Sequence, residues 1–225
     1  MTSCWTLCRC LFLVLALLHF PVALPVRAAD TESRDYTVQV DGKHCGKANI
    51  TIQQQDDGTT TVSCDTAVQV KVLVKTYKYS YQGREVWKEG RLQLLDSQCN
   101  DDGKRYKVAA KADGDRLWVV ANNQKRLTRG DVWLTSYWTV AEVKTRRDTV
   151  PLIDADTGRD LDCRVQLIGA QQMVVAGQVQ NVNHYRLTGK VQVDLWYDAA
   201  DRLVRQEWIE DGHKTVLELS QVKKK

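Results

Sequence analysis

Ala48-Asn49-Ile50-Thr51-Ile52-Gln53, followed after Asp56-Asp57-Gly58 by Thr61-Val62-Ser63-Cys64, alternates apolar and polar side chains on both sides of a turn. Alternation at every second residue marks a strand with one buried face, and Asp-Gly supplies the positive φ of a tight hairpin. A three-residue loop at 56–58 sets Ile52 opposite Val62 and Ile50 opposite Cys64. The returning strand then continues inward through Val68, Val70 and Val72. In that register Cys64 faces the core and Cys45 the outer face, which disfavours a bridge between them. Cys163 shares parity with Leu161, Val165 and Leu167 and is therefore expected to be buried.

Working outward, turn signals recur along the chain at Asp41-Gly42, Glu89-Gly90, Asp101-Asp102-Gly103, Asp113-Gly114, Thr188-Gly189 and Asp211-Gly212. Their spacing predicts an all-β antiparallel meander of about ten strands with little helix, curved into a sheet, half-barrel or open barrel. The last clear hairpin, Val191 to Ile209, is expected to place Leu195 opposite Val204, Trp196 opposite Leu203 and Asp194 opposite Arg205. Val132 to Val143 is the one candidate helix, and it reads equally well as a strand followed by a bend. The inward parity of Val68 to Val74 switches at Tyr77, which suggests a bulge within one strand.

Residues 1–28 have the layout of a cleaved secretory signal peptide. A polar start with Arg9 precedes the apolar run Leu11 to Leu18, and Val26-Arg27-Ala28 forms a small-residue cleavage pattern. Residues 29–225 then form a single all-β domain, periplasmic or secreted, with no stable membrane span. Both phenylalanines, Phe12 and Phe20, fall in the leader, so the core is built from Val, Leu, Ile, Trp and Tyr. These side chains suit a pleated surface. Lys and Arg exceed Asp and Glu by only two in the mature chain, which argues against a nucleic-acid partner. Four cysteines remain: Cys45, Cys64, Cys99 and Cys163. They form either two bridges, in one of three connectivities, or buried free thiols.

The sequence assigns no catalytic residue, metal site or cofactor. Asp154-Ala155-Asp156-Thr157-Gly158-Arg159-Asp160 imitates a calcium loop, but its glycine comes one place early and Arg159 sits inside it, so a turn after the strand Val150 to Ile153 is the better reading. His44, His184 and His213 lack ligand spacing, and Ser136 has no adjacent histidine. The sequon Asn49-Ile50-Thr51 and the tripeptide Arg129-Gly130-Asp131 are too short to carry weight. The aromatic residues are more suggestive. Tyr77, Tyr79 and Tyr81 line one strand face, and Trp133, Tyr137, Trp138 and Trp196 add amphipathic surface that could line a greasy cleft.

Four segments resemble a bacterial exported family of unknown function. They are Tyr36-Thr37-Val38-Gln39-Val40-Asp41-Gly42-Lys43, Trp133-Leu134-Thr135-Ser136-Tyr137-Trp138, Leu152-Ile153-Asp154-Ala155-Asp156-Thr157-Gly158, and Asp194-Leu195-Trp196-Tyr197-Asp198 with Arg202-Leu203-Val204. Thr139 stands where that family often carries Asn. The resemblance implies a fold distantly like the half-barrel carriers of lipoproteins, and no assigned activity. The expected function is binding or shielding an apolar envelope ligand, a lipid or acyl chain, without catalysis. One alternative is a structural or protein-interaction module with an exposed strand edge; the other is an envelope-directed hydrolase or isomerase, which a His184 beside a carboxylate in a cleft would favour.

Overall fold

The computed structural model describes residues 30–72, 75–141 and 149–225, and the leader expected over residues 1–28 lies outside the described residues. One antiparallel run leads from β1 (Asp30–Val40) through β2 (Lys43–Gln54), β3 (Thr59–Val72), β4 (Lys75–Lys88) and β5 (Arg91–Asp101). It continues through β6 (Lys104–Asp113) and β7 (Arg116–Ala121) to β8 (Gln124–Arg129). The chain then crosses to β9 (Trp133–Leu134) and works back through β10 (Val150–Ile153), β11 (Asp160–Val175), β12 (Gln178–Gly189) and β13 (Val193–Tyr197). It ends with β14 (Leu203–Glu210) and β15 (His213–Lys224). All fifteen belong to one sheet with β8 and β9 at its two edges and β1 in its interior, between β2 and β15. Every pair is antiparallel except β9 with β10.

β8 and β9 are the far edges of the sheet, yet only residues 130–132 separate them. At about 3.3–3.6 Å per residue, that link reaches roughly 14 Å. The sheet must therefore curl until its edges meet. No backbone ladder closes the seam among the described residues. Instead Arg126 of β8 donates to the Gly158 carbonyl and, at 2.8 Å, to Asp160 Oδ1 at the start of β11. The Gly130 amide donates to the Asp115 carbonyl at 2.9 Å, and a Cβ on Gly130 would come within 2.7 Å of that oxygen. The result is an open barrel.

The first hairpin has the expected register: Ile50 pairs with Cys64, and Ile52 with Val62. The all-β antiparallel meander is present as expected, and among the described residues its strands number fifteen. Several expectations need correction. The parity switch at Tyr77 comes from a change of strand, not a bulge: Val70 pairs with Tyr77, and Val68 with Tyr79, across β3 and β4. Val74 and the side chain of Val72 lie outside the described residues. The late hairpin slips by two residues, pairing Asp194 with Glu207 and Trp196 with Arg205, because a bulge after Trp196 lengthens the turn. Asp194 consequently bonds Arg186 at 2.8 Å, and Arg205 bonds Glu218 at 2.9 Å. Val132 to Ala141 is a two-residue strand and turns rather than a helix. Val143 lies outside the described residues.

Buried side chains form two clusters. The larger runs along the concave side of β1–β7 and includes Tyr36, Ile50, Val62, Leu95, Leu117 and Val119. The smaller gathers Trp133, Tyr137, Leu152, Tyr185, Leu195 and Tyr197. Adjacent residues of β10 serve both, Ile153 in one and Leu152 in the other, and all four of its residues are buried. A strand covered on both faces reads as an apolar run rather than an alternating one.

Leu117 of β7 is fully buried although its strand is next to an edge. Leu117→Ala is expected to cost about 2–5 kcal/mol, measured by urea unfolding, if edge and centre unfold as one unit. A loss below about 1 kcal/mol would mean that β7 and β8 fray independently.

Candidate functional site

β4 brings Tyr77, Tyr79, Tyr81, Glu85 and Trp87 onto its inward face, because alternate residues share a face. Two later segments, 133–141 and 153–158, pack against that face and fill much of the concave side. Polar contacts fix them. The Tyr79 hydroxyl donates to Asp156 Oδ2 at 2.9 Å, and the Ser97 hydroxyl to the Ala155 carbonyl at 2.6 Å. The Ala155 amide donates to Thr135 Oγ1 at 2.9 Å, and buried Arg34 donates to the Trp138 carbonyl at 2.5 Å. Tyr137 turns the inserted segment with a φ of 46°, a strained value for a bulky residue, and the Tyr197 hydroxyl donates to its carbonyl at 3.0 Å.

Two carboxyls are enclosed by this arrangement. Glu85 is fully buried and accepts the Trp87 indole N–H at Oε2, 2.7 Å away. Among the described residues, its Oε1 and the nearby Ser136 hydroxyl lack a partner in good hydrogen-bond geometry. Burial pushes the Glu85 carboxyl up to about 7, against the opposing influence of Ser136, Trp87 and Trp138. Burial likewise raises Asp156 to about 7, and the neighbouring Asp154 charge adds to the shift, while the hydrogen bond from Tyr79 opposes it. Cys64 and Cys99 are buried on the same side, and burial raises both thiols, Cys99 to about 12. Cys163 is buried and Cys45 half-buried. Among the described residues, all four cysteines stand as free thiols.

Where the inserted segment leaves the barrel, it borders a cleft of about 1110 Å³. Trp87, Trp133, Trp138, Val132, Val140 and Ala141 give it an apolar floor. Arg91, Arg116 and Arg129 stand at its rim with Glu89, Asp115 and Asp131. Trp87 and Trp138 meet edge to face with centroids 6.3 Å apart, and Trp133 meets Tyr137 at 5.0 Å. An apolar floor under a polar rim can hold a molecule with a greasy body and a polar head.

The seven aromatic residues singled out in the sequence fall in different places. Trp133 and Trp138 line the cleft, with Tyr137 packed behind Trp133. Tyr79 and Tyr81 face the enclosed polar groups, and Tyr77 donates to Asp101 at 2.8 Å. Trp196 stacks on His184 at 4.3 Å, away from the cleft. His184 does lie beside a carboxylate, its Nε2 2.6 Å from Asp194 Oδ1, but neither residue lines the cleft. Sequence reasoning passed over Glu85, Trp87, Arg34 and Asp156. The signal for Glu85 and Trp87 was the parity already recognised at Tyr77 to Tyr81, carried four and six residues further. Among the described residues, no group of three or more His, Cys, Asp or Glu is placed to hold a metal ion, and no helix is long and apolar enough to cross a membrane.

A curled antiparallel sheet that takes in its own connecting segments defines a β-barrel-like domain. The chain belongs to the family described as domain of unknown function DUF6134, whose model matches residues 36–220. It is also similar in fold to the crystal structure of a beta-barrel-like protein of domain of unknown function DUF1849 from Brucella abortus. The TM-score is 0.62 at 9% identity, over 88% of this chain and 98% of that one. A putative outer membrane lipoprotein-sorting protein domain from Vibrio parahaemolyticus aligns over 88% of this chain and 86% of that one at 10% identity. Its TM-score of 0.22 is too low to bear on the fold. No curated protein sequence matches the chain.

The raised carboxyls fix the sign of a pH effect. Well below the ordinary Glu value of 4.5, folded and unfolded chains both hold the proton, and the stabilisation is fully present. As pH rises toward 7, the unfolded chain releases a proton that the folded chain keeps, so stability falls. The melting temperature is therefore expected to drop from about pH 5 to about pH 8, and the drop to be shallower in Glu85→Gln and in Asp156→Asn. An equally steep drop in both variants would place the titrating groups elsewhere.

Proposed function

We propose that this protein binds an apolar ligand with a polar head, of the acyl-chain or lipid class, in the cleft at the barrel mouth, and that it acts as a non-catalytic carrier or shield in the cell envelope after export. The observation that carries this reading is the cleft's floor, in which three indoles and three small aliphatic side chains lie beneath a rim of arginines and carboxylates. Residues 133–141 and 153–158 occupy the concave side, so the ligand seats at the mouth rather than threading the barrel. Trp133 and Trp138 remain in the proposed site and Trp87 joins them. Tyr77, Tyr79, Tyr81 and Trp196 leave it, and Tyr137 supports it from behind. The apolar character of the leader supports export and an envelope setting.

The test is native mass spectrometry and lipid extraction of protein isolated from the envelope fraction, together with titration of a fluorescent fatty-acid probe. Co-purifying lipid and saturable probe binding are expected. Trp138→Ala should weaken the probe by at least about tenfold, close to 1.4 kcal/mol, with an unchanged β-sheet circular dichroism spectrum. Absence of both bound lipid and probe binding in the wild-type protein would overturn the proposal.

A further inference from the structure

Glu85 stands directly behind the floor of the mouth cleft. It lies in the interior of the sheet between Val62 of β3 and Leu95 of β5, and all three are buried. Its Oε2 accepts the Trp87 indole N–H at 2.7 Å, and Trp87 lines the cleft. Trp138, a second indole of that floor, meets Trp87 edge to face and also faces the Glu85 carboxyl. One buried carboxyl therefore sits behind two of the three indoles on which a ligand would rest.

The two protonation states of such a group have different needs. As a neutral acid, Glu85 accepts from Trp87 at Oε2, and a proton on Oε1 supplies a donor beside the Ser136 hydroxyl. As an anion it needs a counter-charge or water. The groups around it supply no charge. Cys64 of β3 and Tyr81 of β4 face it, and burial keeps both neutral. From the inserted segment come Ser136 and Trp138, both uncharged. On β5, the Ser97 hydroxyl is committed to the Ala155 carbonyl. On β1, the Arg34 guanidinium is committed to Glu32 at 2.6 Å and to the Trp138 carbonyl at 2.5 Å. An ionised Glu85 is therefore completed by water. The cleft lies on the far side of Trp87 and Trp138, so water entering from it parts the two rings.

We propose that Glu85 is a positioning residue for the mouth cleft: its protonated form holds Trp87 and Trp138 together as a closed floor, and its ionisation opens that floor and releases the ligand. The functional half of this inference rests on the reading of the cleft as a ligand site; the proton-dependent packing of the indoles does not. Burial sets the midpoint, at about 7. A ligand seated on the floor excludes water and so keeps the proton on Glu85. Affinity is therefore full below the titration of the free protein and falls as pH rises through it. Asp156, the other raised carboxyl, is bonded to Tyr79 and does not line the cleft.

The test is a pH series on the purified protein, from about pH 5.5 to about pH 8.5 and well below its melting temperature, read in two ways. Nitrogen–proton correlation NMR follows the Trp87 and Trp138 indole N–H groups without any ligand, and a fluorescent fatty-acid probe reports affinity. The two indole resonances are expected to titrate together with a midpoint of about 7. The probe's dissociation constant should rise at least about fivefold across the series, one pKa unit between free and bound protein corresponding to about tenfold. Glu85→Gln, which keeps the shape and the donor and acceptor of the neutral acid, should show flat resonances and the low-pH affinity of the wild type throughout. Asp156→Asn should keep both wild-type responses. Indole resonances that do not move with pH, that move equally in Glu85→Gln, or that stop moving in Asp156→Asn would overturn the inference. So would an affinity that is flat with pH in the wild type, or a Glu85→Gln variant that binds weakly at every pH. A wild type whose indoles titrate but which binds no probe at any pH would overturn the carrier reading alone.

Discussion

The link Gly130 to Val132 joins strands at opposite edges of a fifteen-stranded sheet, and its short reach obliges the whole sheet to curl. A flat meander of the same strands would hold those edges many strand spacings apart, since neighbours stand about 4.8 Å from one another. Curling creates the concave side, and the concave side needs filling. The segments that follow the link supply the filling: Leu134, Ile153 and Ala155 join the core built by β1–β7. Among the described residues, the seam is bridged by Arg126 reaching the Gly158 carbonyl and the start of β11 rather than by a ladder.

Filling a barrel with irregular backbone brings polar groups inside, where each must find a partner or cost free energy. The inner face of β4 and β5 meets part of this requirement with Tyr79, Ser97 and Trp87, each donating to a named acceptor. The same contacts register the inserted segment, since the Tyr79–Asp156 and Ser97–Ala155 bonds can form together in only one placement. Enclosed carboxyls raised to about 7 belong to this arrangement: a neutral acid is cheaper to bury than an anion. The indoles of Trp87 and Trp138 sit where the filled interior gives way to solvent, which is why an apolar floor appears at the mouth.

Much of the fold was legible because period-two alternation and Asp-Gly turns are local signals. The hairpin around Asp56 to Gly58 had its pairing readable down to Ile50 opposite Cys64. The late hairpin was not readable to that depth, because the bulge after Trp196 leaves no mark in the alternation before it. The site was less legible than the fold. Trp133 and Trp138 stood out by type, but Trp87 reaches them only through the closure of the barrel, a contact between residues about fifty positions apart. Asp156 read as one more turn carboxylate, and nothing in its neighbourhood in the chain announces that Tyr79 meets it.

The pairing of β1 with β15 has a consequence for how this molecule comes into being. The first strand and the last are neighbours in the interior of the sheet, and neither half of the meander has its inner border until both exist. Such distant pairings are slow because a long loop must close before any contact rewards it. Until β15 is in place β1 stays bare along one side, and over that interval it is open to chaperones.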